Sequence, residues 1–285
     1  MARAGTRIGK HLTVLGIVEK RGSEPVYIVW HHRDWCPMAC KVFESYADAR
    51  REAKIMSSLH HPNTVRFLGL ERPAHLLMEF LEGPTLSRLI RRQRRGRLAL
   101  SDALRVAIHL GAALAYVHQK GLLHLDVKPS NVIVARGGRP VLYDFGSARR
   151  QDARRPPHVD GTDPYIAPEE CLRGDIGTAA DVFGLGVTLY QMLTGELPFP
   201  KGTRRNPFPQ TKTEPVPLRQ RRPGVPAALA ALVQKCLARD PAGRPSLDLL
   251  LPALHGFIRG GRPMWPTGFE PQATVPAGRR RAQLT

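Results

Sequence analysis

The chain has 285 residues, and its 43 basic and 24 acidic side chains give a formal net charge of +19. Its hydrophobic content of 42% allows a chain of this length to bury a large core. No stretch is long and apolar enough to span a bilayer, because the apolar segment over residues 103–117 is interrupted by Arg105 and His109. Residues 1–7 lack an apolar signal region, so we expect a cytoplasmic protein with no transmembrane segment.

The cysteines form no C-x-x-C pair, and we expect all of them to be reduced: Cys36, Cys40, Cys171 and Cys236. A zinc site can be imagined from the first two together with His31 and His32. Their spacing matches no standard zinc pattern, so a zinc site is disfavoured.

The first segment with a chemical signal is the predicted strand over residues 38–43, which contains Lys41. Side chains alternate along a strand, so Ala39 and Lys41 face the same side. Residues 47–59 then place apolar side chains at helical spacing among basic ones, which predicts an amphipathic helix that contains Glu52.

The most informative segment reads H-L-D-V-K-P-S-N over residues 124–131 and is followed by D-F-G at residues 144–146. Phosphoryl transfer requires a site that positions a hydroxyl, neutralises charge and holds Mg²⁺. Asp126 can accept the proton of a hydroxyl, and Lys128 can lie against a γ-phosphate. The oxygen ligands for the metal are then Asn131 and Asp144.

These segments resemble the eukaryotic-type serine/threonine protein kinases, in their bacterial form. The same order continues with A-P-E at residues 167–169, with D-V-F-G-L-G-V from Asp181 and with Arg244 before a proline. The resemblance implies an α+β, two-lobed protein-kinase-like fold. Its small lobe is β-rich with one helix, and its larger lobe is mainly helical.

The resemblance also sets the expected domain boundaries. We expect an N-terminal extension over residues 1–11 and one catalytic domain over residues 12–258, with the small lobe ending at residue 80. The Gly-, Pro- and Arg-rich tail over residues 259–285 has no periodicity and is expected to be disordered. Residues 198–225, rich in proline and basic residues, are expected to form a long surface loop.

The family pattern assigns a role to each catalytic candidate. Lys41 would bind the α- and β-phosphates of ATP and pair with Glu52. Glu52 is preferred to Glu44 because the turn at residues 61–63 follows the helix as it does in the family. Asp126 would be the catalytic carboxylate, with Lys128 beside it. The expected cofactors are ATP and Mg²⁺, and the implied metal ligands are Asn131 and Asp144.

The adenine pocket is also assigned by the resemblance. Residues 78–81 look like the hinge between the lobes, with Met78 gating the space behind adenine and the backbone of Glu79 and Leu81 binding its edge. The apolar side chains above and below the ring would be Val26, Ala39 and Ile133.

Residues 161–166, G-T-D-P-Y-I, resemble the substrate-binding loop of serine/threonine kinases. Thr162 would there bridge Asp126 and Lys128. The expected partner is therefore a protein substrate with a serine or threonine hydroxyl. Two structural contacts are implied as well: Asp181 would hold the backbone of the catalytic loop, and Arg244 would pair with Glu169.

The first departure from the family is the loop that covers the nucleotide. If Val26 is the valine of G-x-G-x-x-G-x-V, the three glycine positions fall on Glu19, Arg21 and Glu24. Glycines let backbone N–H groups approach phosphate closely, whereas carboxylates repel it. Gly16 and Gly22 are nearby, so a shifted hairpin could restore part of the cradle; the alternative is a plain hairpin with no phosphate role.

The second departure is Leu125, which stands where the family usually has an arginine before the catalytic aspartate. That arginine receives the phosphate of a phosphorylated activation loop. Leucine cannot bind a phosphate. We therefore expect that the active site is ordered without phosphorylation of the activation loop.

The charge is concentrated in arginine, which outnumbers lysine 34 to 9. Arginine clusters occur over residues 91–97, 149–155 and 279–281. Such a surface could attract nucleic acid, anionic lipid or acidic substrates. Nucleic acid is not favoured, because no basic motif with interleaved aromatic residues is present and the composition is typical of GC-rich coding.

The sequence thus predicts an ATP- and Mg²⁺-dependent serine/threonine protein kinase. One alternative is a pseudokinase scaffold that binds a partner protein. A small-molecule kinase related to aminoglycoside phosphotransferases is less favoured, since those enzymes usually lack A-P-E and the Gly-Thr loop.

Overall fold

The computed structural model describes residues 2–21, 24–153 and 164–258. The elements of the small lobe are β1 (Leu12–Arg21), β2 (Glu24–His31), β3 (Cys36–Val42), α1 (Tyr46–Met56), β4 (Phe67–Glu71) and β5 (His75–Glu79). The strands form one antiparallel sheet in the order β1-β2-β3-β5-β4. The predicted β-rich lobe with one helix is therefore confirmed.

Alternate residues of β3 face two different apolar clusters. Met38 and Cys40 pack with Tyr27 in a cluster on the outer face of the sheet. Ala39 packs in the other cluster, and Lys41 lines the cavity on that same side. This two-residue period places the lysine and its small neighbour toward the cleft.

Residues that precede β1 add to the outer face of the small lobe. The Gly5 amide donates to the Val14 carbonyl at 2.8 Å, and the Ile8 amide donates to the Leu12 carbonyl at 3.1 Å. Near the start of the chain, the Ala2 amide donates to the Tyr27 hydroxyl at 3.1 Å. The segment assigned to an N-terminal extension thus packs on the sheet.

Helix α1 begins after Ser45, whose hydroxyl accepts a hydrogen bond from the Ala47 amide. The sequence predicted a helix over residues 47–59, but α1 ends at Met56. The hydroxyls of Ser57 and Ser58 donate to backbone carbonyls three residues earlier, at 3.1 and 2.7 Å. Serine side chains that bond the local backbone in this way compete with helix continuation.

The large lobe is mainly helical, as predicted. Its helices are α2 (Leu86–Arg92), α3 (Leu100–Gln119), α4 (Pro168–Cys171), α5 (Thr178–Thr194), α6 (Leu218–Arg221), α7 (Ala227–Cys236) and α8 (Leu247–His255). Its short strands are β6 (Leu122–Leu123), β7 (Val132–Val134), β8 (Pro140–Leu142) and β9 (Arg149–Arg150). They pair as β6 with β9 and β7 with β8. The catalytic loop lies between β6 and β7.

Contrary to the expectation from the sequence, helix α3 is long and apolar enough to cross a bilayer by length and composition alone. In the fold it packs against α5 and α8, and 56% of its most apolar 18-residue stretch is buried inside the protein. Its apolar residues belong to the main core.

Helix α5 runs through the centre of the large lobe, and two glycines let other segments approach it closely. A Cβ atom added at Gly184 would lie 3.1 Å from the Val127 carbonyl oxygen, and one at Gly186 would lie 2.7 Å from Cβ of Cys236. The first contact brings the catalytic loop directly against α5.

The prediction of one long surface loop over residues 198–225 holds for most of the segment, which is irregular and largely exposed, but two parts of it are ordered. The segment contains a 3-10 turn at Pro209–Thr211, which begins with a proline, and helix α6, which follows Pro217. The fixed φ of proline favours the start of a helical turn. Gln210 is buried, and its amide donates to the Ile166 carbonyl at 3.0 Å. Leu218 joins the main core. Local burial, which composition did not reveal, orders this segment beside α4.

The predicted ion pair between Glu169 and Arg244 is present and buried. Both guanidinium NH₂ groups donate to the carboxylate at 2.7 Å. The same side chain also donates to the carbonyls of Ala179 and Ala238 at 2.9 and 2.8 Å. The pair fixes α4 against the segment before α8.

We predict that Glu169→Gln lowers the free energy of unfolding by about 3–5 kcal/mol, because it leaves the Arg244 charge buried without its carboxylate. The matched control is Glu214→Gln, which removes the exposed Glu214–Arg239 pair at 3.0 Å. That control should cost less than about 1 kcal/mol. Urea unfolding followed by tryptophan fluorescence measures both. Equal losses in the two variants would contradict a structural role for the buried pair.

Candidate active site

Lys41 lies at the centre of a group of three carboxylates. Its Nζ is 2.8 Å from Oε2 of Glu52, 3.1 Å from Oδ1 of Asp144 and 3.4 Å from Oε2 of Glu24. The ammonium also lies 4.9 Å from the ring centre of Phe43. These contacts join β3, helix α1 and the segment after β8 at one charged atom.

Charge balance keeps Lys41 protonated. Burial alone would lower the pKa of Lys41, but Asp144 and Glu52 raise it above its ordinary value. Burial raises the pKa of Glu52, and the charge of Lys41 opposes that rise. The Oε1 atom of Glu52 is buried and has no hydrogen-bond partner within the described residues. The lysine therefore keeps a positive charge in a cleft that carries an excess of carboxylates.

The catalytic loop places two side chains against Asp126. Oδ2 of Asp126 lies 2.5 Å from Nζ of Lys128 and 2.7 Å from Nδ2 of Asn131. The Asn131 amide also donates to the Asp126 carbonyl at 2.9 Å. Oδ1 of Asp126 is buried and, within the described part of the chain, accepts no hydrogen bond. One carboxylate oxygen is thus held in place, while the other can accept a proton.

The predicted role of Asp181 in holding this loop is confirmed by two hydrogen bonds. The amides of His124 and Leu125 donate to its two carboxylate oxygens at 2.9 and 2.7 Å. His118 Nε2 lies 2.7 Å from Oδ2. Burial would raise the pKa of Asp181, but these partners hold it below the ordinary value. Asp181 therefore stays ionised and binds a backbone that includes Leu125 at φ 61°.

The D-F-G segment places its aspartate and phenylalanine on different sides. Asp144 has φ 65° and faces Lys41. Phe145 is fully buried in the cluster that contains residues of α1, and its ring centre lies 4.9 Å from that of His124. The buried ring supports both the helix that carries Glu52 and the start of the catalytic loop.

The residues predicted to surround adenine belong to one apolar cluster, which contains Val26, Ala39, Met78, Leu81 and Ile133. In the described part of the chain, the Leu81 amide donates to no acceptor, so it can bind an adenine nitrogen. Glu79 donates its amide to the Arg66 carbonyl at 3.0 Å, and its side chain accepts from the Arg66 amide at 2.9 Å. This double contact fixes the start of the hinge.

The cavity beside this cluster has a volume of about 220 Å³ and is lined by Lys41, Glu52 and Asp144. A larger cavity, of about 440 Å³, lies between α3, α5 and the start of α8. Its lining includes Gln119, Thr178 and Ser246. Size does not identify the active site here, because the smaller cavity holds the converging charged groups.

The hairpin of β1 and β2 has two irregularities in its register, between Val14 and Gly16 and between Ile17 and Glu19, and it brings the carboxylate of Glu24 toward the cavity. In the register of the sheet, the backbone of Arg21 lies opposite Glu24 at the end of the hairpin, and that of Val26 lies opposite Lys41 of β3. Gly16 pairs with Ile28 within the strands, so it is not in the turn, and Gly22 lies outside the described residues. The backbone positions of Glu19 and Arg21 lie in β1. The turn at residues 22–23 lies outside the described residues, and Glu24 lies near the lysine expected to bind phosphate.

The activation segment is the part that is phosphorylated in related enzymes. Near its start, β9 pairs with β6. Leu125 packs in the core of the large lobe. Arg150 is exposed and paired with Asp152, at 2.8 Å for each of two hydrogen bonds. Ser147 lines the cavity, whereas the prediction for Thr162 lies outside the described residues. Leu125 therefore cannot bind a phosphate at the position where related kinases have an arginine.

Sequence reasoning missed three residues that support the site. Phe43 follows Lys41 by two residues, so the strand period that placed Ala39 in the cleft could have identified it. Tyr143 lines the cavity, and its hydroxyl donates to the Ser130 carbonyl at 2.7 Å. His118, at the end of α3, carried no local signal, because its partner lies 63 residues away.

The disfavoured zinc residues have other partners. His31 lies 3.1 Å from carboxylate oxygens of both Asp34 and Glu71. Burial raises the pKa of the Cys40 thiol to about 12, so it is not a thiolate at neutral pH. Among the described residues, no group of three or more His, Cys, Asp or Glu side chains could hold a metal by protein ligands alone.

Comparison with known proteins supports the interpretation of the motifs. Residues 22–254 match the protein kinase domain family. Serine/threonine-protein kinase PknA of Mycobacterium tuberculosis is 34% identical over 248 aligned residues, covering 80% of this chain and 56% of PknA. Serine/threonine-protein kinase PkaA of Streptomyces coelicolor is 35% identical over 221 residues, covering 74% of this chain and 39% of PkaA. The chain thus spans about half, or less, of the length of these relatives.

A solved structure shows the same architecture. The crystal structure of a mutant of the Mycobacterium tuberculosis PknI kinase domain aligns with a TM-score of 0.71 at 26% identity. The alignment covers 90% of this chain and 99% of the PknI chain. Together with the match over residues 22–254 and the two-lobed fold, this similarity establishes that the chain belongs to the protein kinase family.

Proposed function

We propose that the chain is an ATP- and Mg²⁺-dependent serine/threonine protein kinase. One observation carries the proposal: a buried lysine is paired with Glu52 and Asp144, and Tyr143, the neighbour of Asp144, is hydrogen-bonded to the loop that holds Asp126 through only one of its carboxylate oxygens. The bacterial relatives are named serine/threonine-protein kinases, which supports the same acceptor here.

The donor set fits a hard divalent cation. Asp144 offers a carboxylate and Asn131 an amide carbonyl, and oxygen ligands of this kind are those that Mg²⁺ binds together with substrate phosphates. When bound, Mg²⁺ would neutralise charge on the phosphates. Two protein ligands are enough for this site, because the metal ions of kinases are bound jointly by protein side chains and by the phosphates of the nucleotide.

The chain's own residues then act by position. Lys41 binds the phosphates at the inner end of the cleft, while the Leu81 amide binds the adenine edge. A serine or threonine hydroxyl placed at Oδ1 of Asp126 can pass its proton to that oxygen as it attacks phosphorus. Lys128, held at 2.5 Å from the other oxygen, supplies positive charge near the transferred group.

The cytoplasmic location expected from the sequence and the protein nature of the substrate belong to this proposal. The domain boundaries at residues 12 and 258 do too, and the tail after residue 258 lies outside the described residues. A pseudokinase scaffold remains the alternative, and the observation that favours it is Glu24, a carboxylate that lies against the lysine expected to bind phosphate.

We predict that Asp126→Asn and Asp144→Asn each abolish measurable phosphoryl transfer. The first removes the proton acceptor, a loss of roughly 10²–10⁴-fold, and the second removes a metal ligand, at a cost of several kcal/mol in the transition state. Transfer from radiolabelled ATP to a generic protein acceptor measures the rates. The control, Asp175→Asn, makes the same change at an exposed position and should keep full activity. If either active-site variant kept near wild-type turnover with an unchanged fold, the site assignment would be wrong.

We predict that phosphatase treatment leaves the rate unchanged, because Leu125 cannot bind an added phosphate. The rate is measured before and after treatment, with mass spectrometry to verify that the activation segment is dephosphorylated. A tenfold drop that re-phosphorylation restores would show that another cation, such as Arg149, binds the phosphate.

We predict that Glu24→Gln tightens ATP binding by about 0.5–1 kcal/mol, the scale of a partly exposed charge interaction. The substitution removes a carboxylate 3.4 Å from Lys41 while leaving the hairpin intact. Glu44→Gln changes the net charge equally on an exposed part of the small lobe and should have no effect. Calorimetry with ATP and Mg²⁺ decides between the two functions. Undetectable binding to the wild-type chain at millimolar ATP would favour the pseudokinase scaffold.

A further inference from the structure

A basic surface borders the active site and has no role in the proposed chemistry. We call it the arginine face and define it as Arg88, Arg91 and Arg92 of helix α2 together with Arg95, all four of which are exposed. Three of these residues are spaced three and four positions apart, so they lie on one side of α2. The other side, with Leu86 and Ile90, packs into the core.

Within the described residues, the arginine face has no acidic partner. None of its four residues takes part in an ion pair with another described residue, although other surface arginines, such as Arg150 and Arg239, do. The packing of α2 on the core therefore leaves a block of like charge in solvent. Like charges this close repel one another, and an anionic partner relieves that repulsion.

The positive charge continues past the face toward the end of α5. Leu98 donates its amide to the Met192 carbonyl at 2.8 Å, which fixes the segment after Arg95 against α5. Burial lowers the pKa of Arg222, and the nearby charge of Arg97 lowers it further. Arg222 nevertheless remains bound to the carbonyls of Leu98 and Leu193, at 3.0 Å each. Arg97 and Arg222 are thus held close together at the edge of the same surface.

The position of α2 ties this surface to the site of transfer. The helix follows the hinge directly and packs against Pro129–Asn131, the 3-10 turn inside the catalytic loop. Thr85, its N-cap, forms a bridge with Ile133. Because a helix is about 10 Å thick, the arginine face on α2 lies within about that distance of the turn, which an extended polypeptide covers in about three residues.

We propose that the arginine face binds acidic side chains of the protein substrate, about three to five residues from the phosphorylated serine or threonine. This inference rests on the proposed kinase function and specifies its substrate class. Carboxylates suit guanidinium groups, which bind them with two parallel hydrogen bonds. A nucleic-acid partner is less well matched, because no aromatic side chain for base stacking belongs to this face.

The kinetic test uses three serine peptides of one length that differ only at the positions three to five residues on both sides of the serine. These positions carry Asp and Glu, Asn and Gln, or Lys. We expect kcat/KM to be at least tenfold higher for the acidic peptide than for the neutral one at low salt, and the ratio to fall as salt rises. Equal rates for all three peptides would overturn the proposal.

The variant R88Q/R91Q/R92Q should lower kcat/KM for the acidic peptide to the neutral value and leave the neutral peptide unchanged. The matched control, R33Q/R50Q/K54Q, removes the same charge from exposed positions of the small lobe and should preserve the preference. An equal loss for both peptides, or the same effect from both triple variants, would contradict a local role for the arginine face.

A binding measurement separates this proposal from the catalytic one. Fluorescence anisotropy of the acidic peptide with its serine replaced by alanine reports docking even if the chain transfers no phosphate. Tight binding that R88Q/R91Q/R92Q weakens at least fivefold would support the arginine face in either case. Binding of single-stranded DNA or RNA that depends on these arginines, with no preference among the peptides, would instead assign the face to nucleic acid and overturn the proposal.

Discussion

The ion pair between Lys41 and Glu52 is the interaction on which the site depends. Its 2.8 Å contact joins a sheet strand to the helix beside it, and the same ammonium contacts Asp144 on the large-lobe side of the cleft. A buried carboxylate without a cation is costly, so α1 is stable in this position only while the lysine is charged. The pair therefore fixes α1 on the sheet, and the contact of the same lysine with Asp144 joins this lobe to the large one.

The large lobe supplies rigidity of a different kind. Asp181 binds two successive amides of the catalytic loop from a helix that is buried along most of its length, and Gly184 lets that loop lie directly on it. None of these contacts involves a phosphate. The presence of leucine at position 125 is consistent with this arrangement, because a loop fixed by buried hydrogen bonds needs no added charge to order it.

Sequence reasoning worked where spacing sets the geometry. The partner of Lys41 could be predicted because the helix and the turn after it follow the family pattern, and the contacts of Asp181 and Arg244 followed from that pattern too. It failed where distant packing decides. The serines that end α1 and the burial of Gln210 beside α4 left no periodic signal, and His118 contacts Asp181 only through the fold. The sequence placed Glu24 in the loop over the nucleotide, but its contact with Lys41 depends on the register of the hairpin, which the sequence does not determine.

The most direct test of the account is to identify the product of the reaction. The protein is incubated with γ-labelled ATP, Mg²⁺ and a protein acceptor rich in serine, threonine and acidic residues, and the labelled residue is located by mass spectrometry. The account predicts label on serine or threonine of the acceptor, dependent on Mg²⁺. Binding of the acceptor without any transfer of label, at saturating ATP and Mg²⁺, would contradict it and identify the chain as a scaffold.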